Sequence, residues 1–169
     1  MTVADLRELF DYGHWANAKL FAVVERLTPE QFIQPVSGSH GTIRDTLVHI
    51  MSAEWGWIGR CGGPDRGPAL NPHDFPSPAN LMALWRQVET RSRQFLAGMH
   101  EEDLARKVEF SFPGGVPHVL PVGLLLHHAA IHGTHHRGQV SLLLRLHGYN
   151  PDNFDFLLYG IDKRRSTTQ

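Results

Sequence analysis

One segment constrains the fold of this chain more than any other. Stepping by alternating threes and fours from Val122, the sequence meets Leu125, Ala129, His132, His136, Gln139, Leu143 and Leu146. That period defines one face of a helix, and it runs from about Val122 to His147, roughly seven turns. Gly148 stands where a helix stops, and Pro151 follows it. A helix of that length carries an apolar stripe it cannot bury alone, so it requires partners of similar length.

Three further patterns supply them. Val3, Leu6, Phe10, Gly13, Asn17, Leu20, Val24 and Leu27 predict a first helix over about 3–27, closed by Thr28-Pro29, which marks a stop or a new start. Ile43, Leu47, Ile50, Met51, Trp55 and Ile58 predict a second over about 42–60, apolar nearly all round and hence central. Ser77-Pro78 is an N-cap with a first-turn proline for a third over about 79–99, burying Leu81, Leu84, Trp85, Val88, Phe95 and Leu96. Residues 61–78 form a glycine- and proline-punctuated loop. Val108, Phe110 and Phe112 alternate before Pro113-Gly114-Gly115, which predicts a small β-hairpin or extended connection over 107–120, weakened by Pro117. The expected fold is all-α: a four-helix bundle with long connections, in one domain over residues 1–169.

Composition narrows the function classes. A net charge of −1 gives no general attraction to nucleic acid or anionic lipid. The basic run Lys163-Arg164-Arg165 reads as a solvated tail. Cys61 is the only cysteine, so neither an internal disulfide nor a thiolate zinc cluster can form. No run of 18 apolar residues exists, and the first residues lack the order of a signal peptide; the expectation is a cytoplasmic protein. The unusual feature is twelve histidines against sixteen Lys plus Arg.

The seam of the last helix selects among those histidines. Only His132, His136 and Gln139 interrupt its small and apolar residues, whereas His127, His128 and His135 lie off it. A buried imidazole must satisfy a donor and an acceptor, at a cost of about 1–3 kcal/mol when it fails. Two imidazoles at i and i+4 either find partners in the core, Gln139 among them, or share a metal ion. A facing helix must complete such a site, and the second helix offers His49, with Glu54 as the other candidate. Asp45, one turn before His49, leaves two readings open: a surface or partly buried histidine beside a carboxylate, or a ligand whose free nitrogen Asp45 orients. No His-Glu-x-x-His, Gly-x-Ser-x-Gly or phosphate-binding glycine loop is present, and nothing near Cys61 would activate it.

These segments resemble the DinB family of DinB/YfiT-like metalloenzymes. The resemblance rests on Tyr12-Gly13-His14-Trp15-Ala16-Asn17, on His49 with Trp55 and Trp57 downstream, and on His132-Gly133-Thr134-His135-His136-Arg137-Gly138-Gln139. It implies an up-down-down-up bundle, frequent homodimers, and one divalent ion on His49, His132 and His136, zinc or nickel first, with iron or manganese also compatible. It implies a hydrolase or a thiol-dependent S-transferase acting on a small molecule, some relatives using a low-molecular-weight thiol. A non-catalytic metal-stabilised or metal-sensing protein is the alternative. Glu54, His128 and His135 are the candidates for a general base. Asn17 is expected to set packing or helix register, Tyr12 and Trp15 to be core or dimer-surface aromatics, Arg137 to lie at the surface, and Gly138 to allow close helix approach.

Overall fold

The computed structural model describes residues 1–36, 40–62 and 70–167. The glycine-proline pairs Gly63-Pro64 and Gly67-Pro68 of the expected loop lie outside them. Four long helices form where the periodicities place them: α1 (Val3–Val24), α3 (Ile43–Arg60), α4 (Pro78–Ala97) and α5 (Val122–Leu146). Their starts are capped locally: the side chains of Thr2, Thr42 and Ser77 accept from the backbone N–H groups of Asp5, Asp45 and Asn80. Two shorter helices join them. Thr28-Pro29 proves to be a new start, opening α2 (Pro29–Ile33) with a capping box between Thr28 and Gln31. The expected basic tail is part of a helix, α6 (Phe156–Thr167), although Lys163, Arg164 and Arg165 are exposed on it. Phe156 and Tyr159 of α6 pack on Tyr12 with ring centroids 5.2 and 5.9 Å apart. Strands β1 (Lys107–Phe110) and β2 (His118–Pro121) pair antiparallel with Lys107 opposite Pro121, and Pro117 stands just before β2.

Side-chain contacts fix the helix directions. The start of α1 meets the end of α4, because Arg7 Nε donates to the Leu96 carbonyl (2.9 Å) and the Val3 N–H donates to Glu101 just beyond (2.9 Å), so these helices are antiparallel. Helices α3 and α4 run together: Leu47 shares a core with Leu81, and Trp57 shares another with Leu96. Helix α5 opposes α3, His132 and His136 reaching His49 while His128 reaches Trp57. The four long helices therefore run up-down-down-up, and the crossover from α3 to its parallel neighbour α4 explains the long intervening connection.

The core is divided. One apolar cluster takes Leu20 to Leu27, Ile43 to Met51, Leu81 to Val88 and Val140 to Leu144; the other takes Val3 to Phe10, Trp57 to Cys61, Leu96 and Val122 to Ala129. Between them every long helix contributes polar residues: His14 and Asn17, Glu54, Glu89 and Ser92, and His132 to Arg137. This waist positions the candidate site. One seam position departs from the expected burial: Leu146, the last residue of α5, is 65% exposed, because the stripe leaves the bundle at the helix end.

Candidate metal centre

The 3.6-residue period divides the stretch 132–139 of α5 between two neighbours. His132 and His136 face α3, while Gly133 and Arg137 face α1. On the α3 side, His49 Nε2 lies 2.9 Å from His132 Nε2, which lies 3.1 Å from His136 Nε2. The ring centroids of His49 and His136 are 4.6 Å apart. The three histidines selected in the sequence thus meet at one place, with His132 Nε2 facing the Nε2 of both others.

Their surroundings keep them uncharged. Burial, reinforced by the neighbouring imidazoles, pushes the His49 pKa down to about 4 and that of His132 down to about 3. Burial also lowers that of His136, against an opposing hydrogen bond to Gln139. His136 Nδ1 donates to Gln139 Oε1 (2.7 Å), and Gln139 Nε2 donates to His135 Nε2 (3.3 Å). That chain leaves the His136 lone pair on Nε2, aimed into the cluster. His132 Nδ1 is buried with no hydrogen-bond partner among the described residues.

The donor set fits a divalent ion. A neutral His132 can donate an Nε2–H to only one of its two neighbours, whereas a cation accepts a lone pair from all three rings. Nitrogens about 2.05 Å from one ion stand about 2.9 Å apart at right-angled positions and about 3.3 Å apart at tetrahedral ones. The observed 2.9 and 3.1 Å fall in that interval.

A fourth histidine, which periodicity could not find, adjoins this cluster. His40 lies in the loop before α3, its ring stacked on that of His49 (centroids 3.9 Å, 25°) and edge-on to His136 (4.9 Å). Ligand atoms of His40, His49 and His136 lie within 4.8 Å of one another. The only sequence signal for His40 was its place two residues before Thr42, the N-cap of the helix that carries His49.

On the α1 side of the waist the polar groups pair with one another, although His14 Nδ1 and Arg137 Nε have no hydrogen-bond partner among the described residues. His14 Nε2 donates to Glu54 Oε1 (3.1 Å), as does Ser92 Oγ (2.5 Å). Asn17 Nδ2 donates to Glu89 Oε1 (3.1 Å), and Asn17 Oδ1 accepts from Arg137 Nη1 (3.3 Å). Burial opposes charge on Glu54, but the His14 and Ser92 hydrogen bonds and the charges of His14 and Arg137 hold its pKa below the ordinary carboxylate value. On Glu89 burial prevails and the pKa rises. Burial lowers the Arg137 pKa, with Tyr12, Glu54 and Glu89 opposing.

Several expectations change accordingly. Arg137 is not at the surface: it is 3% exposed, bonded to Asn17 and Thr134, with its guanidinium 5.4 Å from the Tyr12 ring centre. The residue that follows a ligand faces away from α3, but in a four-helix packing that direction leads into α1. Gly138 is exposed, and a Cβ there would meet nothing within 4 Å; Gly133 is the tight position, where a Cβ would lie 3.0 Å from Arg137 Nη1. Asp45 accepts from Arg44 Nε (2.9 Å), and the orienting hydrogen bond in the cluster is the one that His136 donates to Gln139. Glu54 is committed to His14 and Ser92. Asn17 holds the packing role expected of it, bridging α4 and α5. Tyr12 and Trp15 pack against Tyr159 of α6.

Beside the histidines, an apolar cleft of about 360 Å³ opens against the hairpin, lined by Trp57, Phe110, Leu120, Leu125 and His128 among others. The His128 ring, 5.5 Å from Trp57 and 5.6 Å from His132, connects cleft and cluster. No described helix is long and apolar enough to cross a membrane.

An up-down-down-up bundle with histidines converging from its second and last long helices defines a class of proteins. The sequence profile of the DinB family matches residues 1–165, and the chain belongs to that family. It is 26% identical to Protein DinB of Bacillus subtilis (strain 168) over 159 residues, covering 90% of this chain and 91% of that one. Among solved structures, a DinB-like protein from Bacillus cereus ATCC 10987 superposes with a TM-score of 0.68 at 22% identity, covering 86% of this chain and 94% of that one. A DinB-like protein from Bacillus subtilis gives 0.64 at 15% identity, covering 87% and 96%.

Proposed function

We propose that His49, His132 and His136 hold one divalent ion, zinc or nickel by preference, and that the protein is a metal-dependent enzyme acting on a small molecule. The observation that carries this reading is the mutual approach of the three Nε2 atoms, at 2.9 and 3.1 Å, in a setting that keeps the rings neutral. A bound ion supplies a neutral-pH hydroxide from water, or polarises a substrate oxygen or thiol. Burial keeps the rings of His49 and His132 neutral, so that each retains one lone pair, and Gln139 fixes the tautomer and ring plane of His136. The apolar cleft accepts the body of a substrate, and His128 stands between it and the cluster to exchange a proton. Hydrolysis and transfer of a low-molecular-weight thiol both suit this arrangement. A homodimer in the cytoplasm is the assembly and location we assign to it.

A second reading, a metal-stabilised or metal-sensing protein without turnover, is favoured by one observation: His40 covers the face of His49.

Elemental analysis of protein purified without a His-tag should give about one divalent ion per chain. Ion at a thousandfold excess over its Kd should stabilise the fold by about 4 kcal/mol in urea unfolding, and His136→Ala should abolish both effects. Wild-type stoichiometry in that variant refutes the assignment. A hydrolytic and thiol-transfer screen without any metal-dependent rate leaves the non-catalytic reading.

A further inference from the structure

Helices α3 and α5 bring three imidazoles to the cluster, and a loop brings the fourth. We propose that His40 is an exchangeable fourth nitrogen ligand of the ion held by His49, His132 and His136. In the resting protein it occupies the coordination position that an incoming ligand needs. This inference rests on the metal reading above.

The geometry places His40 within reach of a shared ion. Its ligand atom and those of His49 and His136 lie within 4.8 Å of one another. Two nitrogens on opposite sides of one ion are about 4.1 Å apart, and adjacent ones about 2.9 Å, close to the 4.8 Å within which these three ligand atoms lie. It stacks on and abuts the two rings flanking His132.

The local chain explains why this ligand can leave while the others stay. Gly41 has φ +101°, a conformation that only glycine adopts readily. The Gly41 carbonyl accepts from the Val36 N–H (2.6 Å), and Thr42 caps α3. The backbone beside His40 is therefore anchored on the helix that carries His49. The His40 side chain itself is exposed, whereas His136 is 8% exposed and held by Gln139. Swinging His40 outward breaks no helix packing and exchanges one neutral nitrogen for another neutral ligand, so no proton or electron has to move. The covered site of the second reading and the open site of the first then become two states of one protein.

Cobalt-substituted protein tests this, because the visible bands of Co(II) report the number and kind of ligands. Wild type and His40→Ala should take up the same amount of Co(II) with different visible spectra, and the variant's Kd should rise about tenfold. Free imidazole at millimolar concentration should return the variant spectrum to that of wild type and leave wild type unchanged. His40→Asn, which is polar but too short to reach, should match His40→Ala, and both apoproteins should keep the wild-type circular dichroism. Identical spectra in wild type and both variants, with uptake still lost in His136→Ala, overturn the role of His40 and leave the three-histidine site intact. A wild-type protein that takes up no Co(II) overturns both readings.

Discussion

The same helical stretch, His132 to Gln139, feeds two polar regions that differ in kind. Toward α1, Arg137 enters a network in which donors meet acceptors: Glu54 with His14 and Ser92, Glu89 with Asn17, Asn17 with Arg137. Toward α3, His132 and His136 meet His49, and like faces like. A satisfied network rigidifies a core, because removing one member strands the rest. Three uncharged imidazoles offer one another the same kind of nitrogen, a donor set that fits a cation. Burial of polar groups thus has two outcomes in one waist, and the kind of partner separates them. The first region reads as structure and the second as a site.

Substitutions can break that distinction. The largest effect is expected from Arg137→Met, which leaves Glu54 and Glu89 without their buried cation. The apoprotein should lose about 3–5 kcal/mol in urea unfolding, while the stoichiometry of metal binding in the folded fraction stays at the wild-type value. If Arg137→Met left stability unchanged and removed the metal, the two regions would be one. A smaller effect is expected from Gln139→Ala, which removes the hydrogen bond fixing His136. Metal affinity should fall about 10–100-fold, read by competition with a chromophoric chelator, with little change in apoprotein stability.

A third expected effect sharpens the contrast through pH. In the unfolded chain His49 and His132 titrate near 6.5, and in the folded apoprotein near about 4 and about 3. Between those values the unfolded state binds more protons, so apoprotein stability should fall as pH drops below about 6.5, with the loss complete near pH 3. Urea midpoints measured at pH 7, 6 and 5 should decline, and His132→Gln should flatten the decline. A wild-type midpoint that is constant over this range would show that the imidazoles accept protons freely in the fold.

Much of this was legible in the sequence wherever a single helix carried the signal. Steps of three and four predicted the long helices and picked His132 and His136 from twelve histidines, because a period fixes which residues share a face. The alternation about Val108 to Phe112 predicted the hairpin, although Pro117 falls just outside its second strand. The features that escaped are those in which direction off the seam mattered. Arg137 lay off the stripe and looked solvent-facing, yet a helix with neighbours on two sides has more than one buried face. Gly138 looked like a packing glycine by residue type alone, and Gly133 holds that role because Arg137 folds back over it. Helix α6 went unread because Tyr159 gains its burial from Tyr12 and Trp15, about 140 residues earlier in the chain.

What the sequence determined by itself was local: the caps at Thr2, Thr42 and Ser77, the stop at Gly148, the stripes, and the spacing that stacks two imidazoles one turn apart. Tertiary structure alone decided which of the remaining histidines joined them. His49 comes from the antiparallel helix and His40 from the loop that precedes it, while His128 and His135 on the same helix as the pair do not. The reason is physical. Helical periodicity specifies an angle about one axis, whereas a metal centre requires several side chains to meet at a point, and only the packing of different axes can define that point.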